Sequence, residues 1–144
     1  KHGEVTMVDV STKQVMHRVA TASAMFSASE ETLDKVISGN LPKGEACSAA
    51  RISAIMAAKN TGNSIPLCHT LPIEHVDVSF IRASATSIEI KVSVAVQAKT
   101  GVEMEALSAV TTAALTLWDM TKAIDKNLSI DNVVLLKKVK TPIN

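Results

Sequence analysis

The apolar positions along the chain change period several times, and each change marks an element. Residues 74–82 (EHVDVSFIR) set Val76, Val78 and Phe80 against His75, Asp77 and Ser79. Residues 87–97 (SIEIKVSVAVQ) alternate more strictly, with Ile88, Ile90, Val92, Val94 and Val96 on one side. A period of two assigns alternate side chains to opposite faces of a sheet, so both segments read as half-buried strands. The short polar link between them predicts an antiparallel hairpin. Residues 15–27 (VMHRVATASAMFS) have strand length, and 128–139 (LSIDNVVLLKKV) predict a closing strand. Helices fill the intervals. Ser27 with Glu30 fits a capping box that opens a short helix ending near Gly39. After Gly44 the run EACSAARISAIMAAK consists of strong helix formers. Ala46, Ala49, Ile52 and Met56 make its predicted apolar stripe, and Asn60-Thr61-Gly62-Asn63 is expected to stop it. A longer helix is predicted over 102–125, with Glu103 and Glu105 in the first turn, where the helix dipole favours acids.

The order strand, two helices, strand, strand, helix, strand predicts an α+β fold, a ferredoxin-like antiparallel sheet with helices packed on one face. No repeat, low-complexity tract or linker interrupts it, so residues 1–144 read as one domain. Aromatic residues make up only 2%, namely Phe26, Phe80 and Trp118, which demands an aliphatic core. It also means that a ring-shaped ligand is not held by stacked aromatic side chains, as in single-strand nucleic-acid binders. Lys and Arg number 15 against 14 Asp and Glu, without a basic run, which argues against a nucleic-acid or membrane-surface partner. No apolar stretch approaches the ~20 residues of a membrane helix. No secretory leader is legible, and Cys47 and Cys68 do not make a disulfide framework, so a cytoplasmic protein with free thiols is expected. The aliphatic strand face and the Ala-rich helices predict an oligomer.

Four segments set titratable residues beside Gly or Pro in apolar surroundings. Leu41-Pro42-Lys43-Gly44-Glu45 precedes a helix, where free N–H groups and a lysine suit a phosphate; a solvated turn lysine is the alternative. In Ile65-Pro66-Leu67-Cys68-His69-Thr70-Leu71-Pro72 the imidazole can hold a ligand or relay a proton, or be a satisfied core histidine. The pair lacks the ligand spacing of a zinc motif, so no structural zinc is expected. Lys99-Thr100-Gly101-Val102-Glu103-Met104-Glu105 opens the long helix, where acids are often dipole partners only. Asp119 and Lys122, near its other end, share a face at i, i+3: either a surface ion pair of little worth or a carboxylate that positions a lysine for proton transfer. Glu105 and Asp119 stand about 21 Å apart along one helix axis. If both are functional, the site is either long or shared between two chains.

Met7-Val-Asp-Val-Ser11, the Lys43-Gly44 turn, the Ala-Ala-Lys59 helix end, Ile65-Pro-Leu-Cys-His69, Lys99-Thr-Gly-Val-Glu-Met-Glu-Ala-Leu107 and Asp119-Met-Thr-Lys-Ala123 occur in that order. Over about residues 7–139 the chain thereby resembles the cyclic pyranopterin monophosphate synthase family of molybdenum-cofactor biosynthesis. The resemblance implies a ferredoxin-like fold, a homohexamer built as a trimer of dimers, and active sites between subunits. It implies a lyase acting on cyclised dihydro-GTP (3',8-cyclo-7,8-dihydroguanosine 5'-triphosphate), with cyclic pyranopterin monophosphate and diphosphate as products. By matching position, Asp119, Lys122 and Lys43 would be catalytic, and Leu67, Cys68, His69, Met104, Glu105 and Arg18 would contact substrate, Arg18 near the triphosphate. No cofactor is implied, with Mg2+ accompanying the triphosphate left open. Trp118 stands where the family more often has Tyr, and Thr70 where it often has Pro; the Gly-rich basic tail of many members is not seen after Lys140. The rival from another class is a non-enzymatic oligomeric module that binds a nucleotide at subunit interfaces. It needs cationic contacts but no Asp119–Lys122 pair.

Overall fold

The computed structural model describes residues 3–143. Lys1, His2 and Asn144, the ends of the 1–144 unit read from the sequence, lie outside the described residues. The elements are β1 (Met16–Ser27), α1 (Glu30–Ser38), α2 (Ala46–Ser64), β2 (His75–Ser84), β3 (Ser87–Ala98), α3 (Glu103–Thr121) and β4 (Ser129–Thr141). The strands form one sheet in the order β2-β3-β1-β4, antiparallel at every pairing. With three helices this is an α+β fold, as the alternation of elements predicts.

Period two in β3 decides which face of the sheet is covered. Ile88, Ile90, Val92, Val94 and Val96 are all fully buried. Across the ladder they meet Phe26, Ala24, Ala22, Ala20 and Arg18 of β1. Large aliphatics on one strand face mainly alanines on the next, which leaves room for α3 to lie directly over β1, β3 and β4. The predicted hairpin is present: β2 and β3 pair from Ser84↔Ser87 outward around Ala85 and Thr86.

Four local expectations are corrected. The cap of α1 is Ser29, whose hydroxyl accepts from the Thr32 N–H, and not Ser27, which ends β1 paired with Ser87. Helix α2 runs through Asn60-Thr61-Gly62-Asn63 to Ser64, because Asn60 and Thr61 return their side chains to the carbonyls of Met56 and Ala57. Its buried stripe is Ala46, Ala50, Ala54, Ala58 and Thr61, whereas Ile52 and Met56 are 60% and 56% exposed. The small residues win the interior face because α2 packs along α3, and Ala against Ala lets two helices approach closely. Finally, α3 ends at Thr121 rather than 125.

The reason for that ending is Asp125. The N–H groups of Ile124 and Asp125 both turn back to the Thr121 carbonyl. The Asp125 carboxylate then accepts from the Ser29 N–H at 2.9 Å, the Thr32 hydroxyl at 2.8 Å and the Asn127 N–H at 2.8 Å. One side chain thus joins the start of α1 to the turn between α3 and β4. The Ser29 N–H holds its carboxyl below the usual carboxylate range, against the opposing effect of burial, with help from Asn127 and Thr32. A depressed native pKa stabilises above the unfolded pKa and is lost as pH falls through the native one. Asp125→Ala is therefore expected to lower unfolding free energy at neutral pH by about 2–3 kcal/mol. Urea unfolding should show the gap to wild type narrowing as pH falls through and below the ordinary carboxylate range. A gap that persists unchanged in acid would refute the ionic role.

Candidate active site

The functional candidates separate into two groups at opposite ends of α3. At the C-terminal end, Asp119 lies between two lysines. Lys43 Nζ is 2.8 Å from Asp119 Oδ2, and Lys122 Nζ is 3.0 Å from Asp119 Oδ1. Lys122 follows from the helix period, since i and i+3 share a face. Lys43 arrives from the turn after α1, which the Gly44 N–H closes onto the Leu41 carbonyl, with Gly44 at a φ of 104° that disfavours a side chain. Hydrogen bonds from Lys43 and Lys122 together hold the Asp119 carboxyl below the usual carboxylate range. All three side chains are near half exposed. One carboxylate between two ammonium groups leaves a net positive, solvent-facing cluster. It can order a lysine, bind a phosphate and move a proton.

At the N-terminal end, the loop after α2 carries Leu67, Cys68 and His69. The Cys68 N–H bonds the Ile65 carbonyl, tightening the turn between the two prolines. Gly62 seats this loop on the last turns of α2: a Cβ there would stand 2.7 Å from the Thr70 Cα. The loop, the start of α3 and residues Val8, Val10 and Lys13 enclose a cavity of about 380 Å3, with Leu67, Cys68, His69, Glu103 and Met104 in its wall. A second cavity, about 330 Å3, adjoins it across Lys13, Thr100, Gly101 and Glu103 and has a basic lining of Arg18, Lys138 and Lys140. Arg18 is partly committed: Nε and Nη2 donate to the carbonyls of Ala98 and Lys99 at 3.0 and 3.2 Å.

The two acids of this end differ. Glu103 lines both cavities, and a Cβ on Gly101 would lie 2.3 Å from its Oε2, so glycine lets the carboxylate fold back over the backbone. Its Oε1 is 3.7 Å from Lys138 Nζ. Glu105 is only 1% exposed and lies behind the cavity wall, with Oε2 3.9 Å from Cys68 Sγ and Oε1 without a partner among the described residues. Burial, with the nearby charge of Glu103, pushes its pKa up and favours the protonated form. Burial and the Glu105 carboxylate likewise raise the Cys68 thiol.

The structure thus brings Lys43, Asp119 and Lys122 together in one chain, and Leu67, Cys68, His69 and Met104 together elsewhere in it. Sequence reasoning missed Lys13, Lys138 and Lys140. Lys138 and Lys140 are two apart on a strand, hence on one face, and that period-two signal was available.

Known proteins align with the chain along nearly all of it. The MoaC family profile matches residues 7–141. Proteins named cyclic pyranopterin monophosphate synthase are similar throughout. The one from Chloroflexus aurantiacus is 47% identical over 137 residues, 94% of this chain and 84% of that protein. The one from Desulfitobacterium hafniense is 46% identical over 138 residues, 96% of this chain and 85% of the relative. The Novosphingobium aromaticivorans protein is 47% identical over 136 residues, 94% and 86%.

Proposed function

We infer the function from one premise, that this chain belongs to the MoaC family. It works in molybdenum cofactor biosynthesis as a lyase, with the activity its curated relatives are named for, cyclic pyranopterin monophosphate synthesis. The substrate in this reading is cyclised dihydro-GTP, which leaves as cyclic pyranopterin monophosphate and diphosphate. The observation that carries it is the Lys43–Asp119–Lys122 cluster. Rearranging rings takes staged proton transfers, and closing a cyclic phosphate expels a charged leaving group. Lysines ordered by a carboxylate serve both needs.

Asp119, Lys122 and Lys43 are the catalytic groups. Leu67, Cys68, His69, Met104 and Glu105 hold the purine-derived part, with Glu105 accepting from the Cys68 thiol behind the wall, and Arg18 lies toward the triphosphate. The 3',8-cyclised ring system meets backbone polar groups and Met104 in place of aromatic faces. The two groups of residues are separated by the length of α3, which supports a site shared between chains and, with it, a homohexamer arranged as a trimer of dimers. Exposed Ile52, Met56 and Leu115 on the outer helical face support burial against another copy. Residues 1–144 act as a single catalytic domain with ferredoxin-like topology, in the cytoplasm. Among the described residues no helix is long and apolar enough to cross a membrane. No resident cofactor is assigned, and Mg2+ would enter only with the triphosphate.

Incubation with the cyclised dihydro-GTP product of the upstream radical step tests this. Diphosphate and cyclic pyranopterin monophosphate should appear in equal amounts. Lys122→Ala should abolish both while substrate still binds. Binding without product formation by the intact protein would instead support the nucleotide-binding module.

A further inference from the structure

Residues Val8 to Ser11 lie against the mouth of the larger cavity, and two side chains from elsewhere in the fold hold them there. His69 Nε2 is 2.7 Å from the Val8 carbonyl oxygen. Lys99 Nζ is 3.1 Å from the Ser11 carbonyl oxygen. Between these points the Asp9 carboxylate accepts from the Ser11 N–H at 2.9 Å, a local turn that fixes how the two carbonyls are presented. Val8 and Val10 line the cavity with His69, so the segment forms part of its wall.

The chemistry of the first contact is one-sided. A carbonyl oxygen only accepts, so Nε2 carries the proton, and in the neutral ring Nδ1 is the unprotonated nitrogen. The anchoring is equally one-sided. The segment is mostly exposed and outside every helix and strand, so its placement rests on few contacts. Among the described residues, Lys99 is the one side-chain cation that ties Ser11 to the body of the fold, at the end of β3. Lys99 itself lines neither cavity.

We propose that Lys99 is a positioning residue: by pinning Ser11 it keeps the Val8 carbonyl on His69 Nε2, which fixes the imidazole with Nδ1 as its proton-accepting atom. The claim rests on the proposed reaction for its catalytic consequence and on the geometry alone for the imidazole. With the latch in place, Nδ1 takes or returns a proton at the bound ring system while Nε2–H stays committed to the backbone. Without Lys99, the ring rotates and both nitrogens exchange with water.

The test uses the full chain with 15N-labelled histidine, the His69 signals being assigned by their loss in His69→Gln. In the wild-type protein the His69 Nε2 proton should be observable and slow to exchange, with Nδ1 unprotonated. In Lys99→Met that proton signal should disappear through solvent exchange. In Lys99→Arg, which restores a cationic donor, it should return. In turnover assays Lys99→Met should lower kcat about 10-fold or more, with KM changed much less, and Lys99→Arg should recover most of the loss. A wild-type ring protonated on Nδ1 and not on Nε2 would overturn the proposal. So would an Nε2 proton that persists in Lys99→Met, or a kcat that does not change. The proton signature needs no turnover, so an intact protein without synthase activity would remove the functional reading and leave the latch to be decided on its own.

Discussion

Asp119→Ala is expected to cut turnover by about 10²–10³-fold while leaving the protein folded. The expectation comes from what the carboxylate touches. It accepts from Lys43 and Lys122 through different oxygens, so one residue sets the spacing of both cations. Its loss releases two flexible ammonium groups and raises their mutual repulsion, and neither then has a fixed place against a phosphate. Stability should hardly change, since the cluster is solvent-exposed and such pairs contribute little. The two lysines keep Asp119 below the usual carboxylate range, so it stays ionised across neutral pH. Asp119→Asn, which retains shape and one acceptor, should therefore resemble Asp119→Ala more than wild type. Single-turnover rates with the cyclised dihydro-GTP measure this. Rates within about threefold of wild type would remove Asp119 from the chemistry.

The second large effect is recovery of activity. Lys122→Ala and His69→Ala should each be inactive alone, yet a reassembled equal mixture should regain about one quarter of the wild-type activity. In an isologous pair each site takes the Asp119 end of one chain and the His69 end of the other. A mixed pair thus contains one doubly damaged site and one intact site. His69 falls with Met104 in this partition, because the structure sets both at the opposite end of α3 from Lys122. Subunit exchange is verified by mass spectrometry of differently tagged chains. If mixed oligomers form, both variants stay folded and no activity returns, the site does not span two chains.

What could be read in advance was decided by neighbours in sequence. The β2–β3 hairpin needs only a period of two and a two-residue link, and both sit in 24 consecutive positions from His75 to Ala98. Asp119 with Lys122 needs only a helix. The misreadings have a common source in long-range packing. Helical spacing puts Ile52 and Met56 on the apolar stripe of α2, but the close approach of α2 to α3 selects alanine. Asn60-Thr61-Gly62-Asn63 reads locally as a helix stop, but the missing Cβ of Gly62 is required by Thr70, which the chain brings back after a turn. The contact of Lys43 with Asp119 spans 76 positions, and no local spacing could announce it. The same is true of Val8 on His69, across 61 positions.

Helix α3 has one more consequence, for which lengths the chain tolerates. It is 19 residues long, packed on α2, β1, β3 and β4, and carries site residues at both ends. Each added residue turns everything beyond it by about 100° and shifts it by about 1.5 Å. A single insertion just after Met104 would thus swing the lysine cluster out of line and drive the buried row of Ala106, Val110 and Ala113 off the sheet at once. Length variation should be confined to places where it rotates nothing, above all the exposed Ala85-Thr86 tip of the hairpin. Helix α3 acts as a fixed gauge block, and descendants of this chain can grow or shrink at such exposed tips long before they can do so there.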